Sequence, residues 1–196
     1  DSMRGWKRLC AAAALLICIM AAVGGTLAWS TGGDRATNVV TTGAVEIRIV
    51  QGGTAQTVEY DPEWRGMLPG SAAARSVFVE NCGERAWIRA KARITICSAE
   101  GQPLSAALPD GTPLVCCDWN EEAWQAGEDG WYYCRAVAEK DAWTEPLLTG
   151  AQWSAAMGNA YQDCTVRIDL LAQAVQTKHN DSGGALDAAG WPQEMP

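Results

Sequence analysis

The stretch Trp87-Ile88-Arg89-Ala90-Lys91-Ala92-Arg93-Ile94-Thr95-Ile96-Cys97 decides the fold class. Side chains on a strand point alternately to its two faces. Ile88, Ala90, Ala92, Ile94 and Ile96 therefore share one face, and Trp87, Arg89, Lys91, Arg93 and Thr95 share the other. An apolar row backed by a basic row is the mark of a strand with one side on a core. The Ala positions imply close approach of a facing sheet. The basic row reads as a solvated face that resists edge pairing, in preference to a surface for an acidic partner.

The same alternation recurs on both sides of this strand. Toward the C-terminus, Cys164 to Gln176 places Val166, Ile168, Leu170, Ala172 and Ala174 inward, with Arg167, Asp169 and Gln173 outward. Toward the N-terminus, Val45, Ile47 and Ile49 alternate with Glu46 and Arg48; Gly52-Gly53 is expected to break that strand, and Ala55 to Tyr60 to form its hairpin partner. Ser76 to Glu80, Leu114 to Trp119 and a strand starting at Trp131 complete the set. Asp61 to Gly70 and Ser98 to Pro113 read as loops, Asn81-Cys82-Gly83 as a turn, and Trp153 to Gly158 as a helical turn. Short alternating strands spaced by Gly/Pro turns, with little helix signal, make an all-β antiparallel β-sandwich over residues 44–177. Residues 178–196 read as a flexible C-terminal tail, with Ala185 to Ala189 as one helical turn.

Residues 1–28 have a different character. A basic start (Arg4, Lys7, Arg8) leads into an apolar run from Leu9 to Val23, then Gly24-Gly25-Thr26-Leu27-Ala28. That is the layout of a signal peptide cleaved after Ala28, with Thr26 and Ala28 as the small residues before the break and Trp29 as the new N-terminus. The alternative is an uncleaved anchor, since Leu9 to Trp29 carries no charge and spans a bilayer of about 30 Å. Its Ala-rich composition, its Gly-Gly-Thr end and the lack of a basic stop-transfer flank argue for cleavage. Contact with a membrane is expected only through the uncleaved signal peptide.

The formal charge of the chain is -8, and loss of residues 1–28 makes the remainder more acidic. Such a balance excludes nucleic acid and anionic lipid surfaces as expected partners. Eight cysteines are present; Cys10 and Cys18 leave with the leader, and Cys82, Cys97, Cys116, Cys117, Cys134 and Cys164 remain. An even number outside the cytoplasm suits disulfides, with no connectivity preferred, while the competing reading is free, small, buried hydrophobes. Adjacent Cys116 and Cys117 face opposite ways if they lie in a strand. Ten Trp against one Phe make the aromatics conspicuous. Trp119, Trp124 and Trp131 lie near loop-rich strand ends, where binding modules present stacking faces, and packing is the competing role.

Several segments resemble the TasA/camelysin group of exported Gram-positive proteins processed by the signal peptidase SipW. Gly25-Thr26-Leu27-Ala28-Trp29-Ser30 and Ala36-Thr37-Asn38 match its precursor motif, although Thr31-Gly32-Gly33 stands where Thr-Asp is more usual. Leu68-Pro69-Gly70, Val79-Glu80-Asn81-Cys82-Gly83, Ala86-Trp87-Ile88-Arg89, Asp129-Gly130-Trp131-Tyr132-Tyr133 and Thr144-Glu145-Pro146-Leu147-Leu148 extend the likeness. The resemblance implies a jelly-roll-like sandwich and a secreted protein of the cell surface or biofilm matrix that forms fibres. Its partners would be other copies of itself, further matrix or cell-surface components and, during export, a SipW-type peptidase. Residues 29–43 would then be a linker or a donor strand, with Trp29, Val39 and Val40 as the residues to watch. The six cysteines are unusual for that group.

Camelysin is described as a metallopeptidase, yet the chain holds no H-E-x-x-H and its single histidine, His179, lies in the expected tail. A zinc hydrolase needs several fixed ligands and a base. Asp118 to Glu122 and Glu128-Asp129 have oxygen donors of the kind Ca²⁺ takes, without EF-hand spacing, and read as exposed acidic turns. The expectation is therefore a non-enzymatic structural protein with no cofactor. The alternative is a monomeric secreted module that binds glycan or protein through its Trp-rich loops.

Overall fold

A computed structural model describes residues 39–40, 45–53, 56–178, 180 and 183–192. Two β-sheets pack face to face in an all-β sandwich. In chain order the strands are β1 (Val39–Val40), β2 (Ile47–Gly53), β3 (Gln56–Glu59), β4 (Glu63–Trp64), β5 (Ala72–Asn81) and β6 (Ala86–Cys97). They continue with β7 (Pro103–Leu104), β8 (Val115–Trp119), β9 (Trp124–Ala126), β10 (Tyr132–Cys134), β11 (Ala142–Trp143), β12 (Leu148–Trp153) and β13 (Thr165–Gln176). One sheet has the order β1-β13-β6-β10-β9, with β4 on β13 and β7 on β6; the other has β3-β2-β5-β12-β8, with β11 on β5. Consecutive strands β5 and β6 lie in opposite sheets and pair with β12 and β13 respectively.

The two strands most legible as alternating patterns form the longest ladder, from Thr165 opposite Cys97 to Gln176 opposite Ala86. Their inward rows meet Ile47, Ile49, Val77 and Val79 of the facing sheet, and Ile88, Ala90, Ile96, Ile168 and Ala172 are all fully buried. Trp64 and Trp153 fill one end with ring centroids 5.6 Å apart. The Arg75 guanidinium lies 4.0 Å above the Trp64 ring, so its charge sits on the negative face of the indole. The turn at Asn81 is pinned from inside: its buried Nδ2 donates to the carbonyls of Glu84, Ala138 and Glu139, and its Oδ1 accepts from Gly83 N–H.

β2 runs on through Gly52, at a φ of 135° that only glycine adopts readily, and ends as expected at the glycine pair, Gly53 facing Gln56 across the hairpin to β3. Several expectations are corrected. The loop over 61–70 contains β4, held on β13 opposite Val166 and Arg167. Trp153 ends β12 in place of starting a helical turn, and the one 3-10 turn nearby is Asn159–Tyr161. The basic row of β6 is solvated only in its second half: Arg93 is exposed and Lys91 and Thr95 are half-buried, but Trp87 and Arg89 are buried, and so is Gln173 beside them on β13. Their cover is the segment 183–192, expected as a flexible tail, whose Ala185 and Ala188 are buried against that sheet. The residues 1–38, with the leader, Thr26, Ala28, Trp29 and much of the expected donor segment, lie outside the described residues, as does His179.

Candidate functional site

β13 has two unlike flanks. On one it pairs with β6 along its whole length. On the other, the described partners are short. β4 pairs at Val166 and Arg167, Ile168 N–H donates to Pro62 O at 2.9 Å, and Tyr60 OH donates to Ile168 O at 2.8 Å. Further along, β1 pairs in parallel, Val39 opposite Ala172 and Val40 opposite Gln173. In a strand, residues whose side chains share a face also send N–H and C=O to the same flank. Ile168 fixes which ones: Leu170, Ala172, Ala174 and Gln176 aim their backbone groups at this flank. The described strands cover it at the start and around Ala172, and leave stretches on either side of β1 without a ladder.

The outer face of the same sheet carries a second feature. Arg89, 8% exposed, is the fourth residue of β6. Its Nε and Nη2 donate to Gln173 Oε1 at 3.0 and 2.7 Å, and its Nη1 donates to Tyr133 OH at 3.2 Å. Its guanidinium carbon stands 4.2 Å from the Trp131 ring and 4.7 Å from the Trp191 ring, so two indoles hold it. Nη2 also reaches Pro192 O at 3.4 Å. The counter-charge is Asp129, whose Oδ2 lies 3.6 Å away and accepts from Tyr133 OH at 2.6 Å. Partial burial works against the Asp129 charge, but the Tyr133 hydroxyl, the Trp131 N–H and Arg89 together hold its carboxyl below the usual range. Burial, then the bond to Asp129, pushes the Tyr133 phenol up. Gln173 Nε2, Trp87 Nε1 and Trp191 Nε1 are buried in this layer without a hydrogen-bond partner among the described residues.

Of the aromatics expected as contact surface, Trp124 and Trp131 are corrected. Trp124 is fully buried and donates from Nε1 to Glu145 O at 3.3 Å; Trp131 is buried beneath Arg89. Trp119 stacks on Tyr132 of the facing sheet, centroids 3.8 Å apart and planes 4° from parallel, which makes it a clamp between sheets. Among the described residues the exposed indole is Trp143, 42% accessible and packed on Phe78, at the rim of a depression of about 450 Å³ that Asn120, Glu122, Arg135 and Glu145 also line.

The six cysteines are free in the structure, which joins none of them in the expected disulfides. Burial pushes Cys134 up to about 11 and Cys117 up to about 12, the latter with a further contribution from Cys116. Cys116 is exposed while Cys117 packs on the core, the opposite facing expected of neighbours in a strand. Cys82 Sγ accepts from Arg48 Nε at 3.2 Å. The acidic turns are engaged by protein groups: Asp118 Oδ1 accepts from Gln152 Nε2 at 2.7 Å, and Asp129 serves Tyr133 and Arg89. Among the described residues no three His, Cys, Asp or Glu side chains converge as metal ligands, and no helix is long and apolar enough to cross a membrane.

Sequence reasoning missed the Arg89 layer because its members come from β6, the 129–133 stretch, β13 and the 183–192 segment. The signal that was available is Trp191-Pro192, the one tryptophan in a tail rich in small and polar residues. Comparison of the chain with protein-family models, with curated proteins and with solved structures returns no match.

Proposed function

We propose that the chain is an exported structural subunit of the cell surface or biofilm matrix that assembles by strand addition along β13. The observation that carries this reading is the partly laddered flank of β13, with a two-residue strand from the N-terminal segment seated on it. A sheet edge with unused N–H and C=O groups is a template for another chain, and main-chain hydrogen bonds supply the affinity. Val39 and Val40 are β-branched and suit a strand. In a single chain they occupy the flank from within; in a fibre the same segment would lie on the next subunit. Export is supported by the layout of residues 1–28 and by the resemblance around Ala28. No catalytic step enters this reading.

The test is electron microscopy of the exported protein. Filaments are expected from the intact chain and should vanish when residues 29–42 are deleted. Filaments of unchanged length from the deletion would defeat the proposal. A second reading, a secreted glycan-binding module, is favoured by one observation: the exposed Trp143 at a rim shared with two carboxylates and an arginine. A glycan-array signal abolished by Trp143→Ala in a monomeric protein would select it.

A further inference from the structure

The outer face of the β13-β6-β10 sheet is occupied by a short peptide, the chain's own residues 183–192. Ala185, Ala188 and Trp191 are the residues that pack on the sheet, and they recur at every third position. Three residues per turn is the repeat of both the 3-10 helix and polyproline II. The segment uses the two in succession: Ala185–Asp187 is a 3-10 turn, and Ala188 follows at φ -68° and ψ 142°, polyproline II geometry.

An aromatic-lined groove that takes a backbone of this kind is a recurring mode of peptide recognition. Here Trp87, Trp131 and Tyr133 form the seat. Arg89 closes it, with its guanidinium against the Trp191 ring and a hydrogen bond to Pro192 O. No strand ladder joins the segment to the sheet; side chains and the reciprocal Asn180–Ala189 hydrogen bonds hold it. Residues 177–182 link β13 to the segment and, extended, reach roughly 20 Å.

We propose that this groove is a peptide-docking site whose partner is the Ala-x-x-Ala-x-x-Trp-Pro segment of a second copy, with each chain's own segment competing for the seat. Exchange of an identical element between copies makes the same contacts in cis and in trans, so concentration decides between them. The groove uses outer-face side chains and none of the β13 backbone, so it stands or falls independently of strand addition.

The test uses the full chain with Trp191→Ala, which loosens its own segment, and a fluorescein-labelled synthetic peptide of residues 183–192. Saturable binding by fluorescence polarisation is expected, about tenfold tighter than to the unmutated chain, whose own segment occupies the groove. Binding should disappear when alanine replaces the peptide's tryptophan. Near-UV circular dichroism checks that the variant is folded, and Ala188→Asp provides a second opened chain should the first aggregate. A folded, opened chain that ignores the peptide, or that binds the tryptophan-free peptide equally well, overturns the proposal.

Discussion

The two faces of β6 solve the same problem in opposite ways. Inward, Ile88, Ala90 and Ile96 meet apolar side chains of the facing sheet and leave nothing polar to satisfy. Outward, Trp87 and Arg89 are also buried, but by a mixed layer of indole, phenol, amide and guanidinium under a ten-residue segment, 183–192, that forms no ladder. The inner face is closed by area alone. The outer face is closed by geometry, since Arg89 is tolerable there only because Gln173, Tyr133, Asp129 and two rings surround it. Area forgives small displacements, whereas a polar layer does not. The outer layer is therefore where this fold should open first.

That contrast can be broken experimentally, beginning with the inner face. Ile168→Ala, at a fully buried position, should cost about 2–5 kcal/mol in urea denaturation. Arg89→Met should cost less, roughly 1–3 kcal/mol, because it strands Gln173 Oε1 while the ladder beneath stays intact. An equal or larger loss than for Ile168→Ala would mean that the outer layer, not the core, governs stability. Trp191→Ala should lower global stability by only about 1 kcal/mol. It should nonetheless speed tryptic cleavage after Lys178, and unchanged cleavage would show that the segment is held by something other than its indole.

The smallest effect is that of pH. The Asp129 carboxyl is held below its ordinary value of 3.8 in the folded chain. Its contribution is thus fully present above that value and is lost as pH falls through the depressed folded value. Acid should release the 183–192 segment before the core melts, and Asp129→Asn should flatten that acid dependence as followed by proteolysis. An unaltered acid profile in the variant would remove Asp129 from the account.

What was legible in the sequence was the inner half of this comparison. Period-two alternation in Trp87–Cys97 and Cys164–Gln176 placed Ile88, Ile96, Val166 and Ile168 correctly, because inward burial depends on local spacing. The same rule assigned Arg89 and Gln173 to solvent and failed. Alternation says which residues share a face, not whether some distant segment will cover it. Trp124 and Trp131 went astray for the same reason, since an indole near a loop looks exposed until the loop is placed. The flank of β13 away from β6 was half visible: its apolar row could be read, but not that the described strands there would be as short as β1 and β4.

The paired indoles around Arg89 also give the chain a built-in optical probe. Trp131 lies beneath the guanidinium and Trp191 against its other side, so departure of the segment moves one chromophore into water and leaves the other beside a bare charge. Trp87, also in the seat, is uncovered by the same event, whereas Trp64, Trp119, Trp124 and Trp153 pack in the core between the sheets. A change in indole emission with no loss of sheet signal in the far ultraviolet is therefore the spectral signature of this one movement, readable on unlabelled protein.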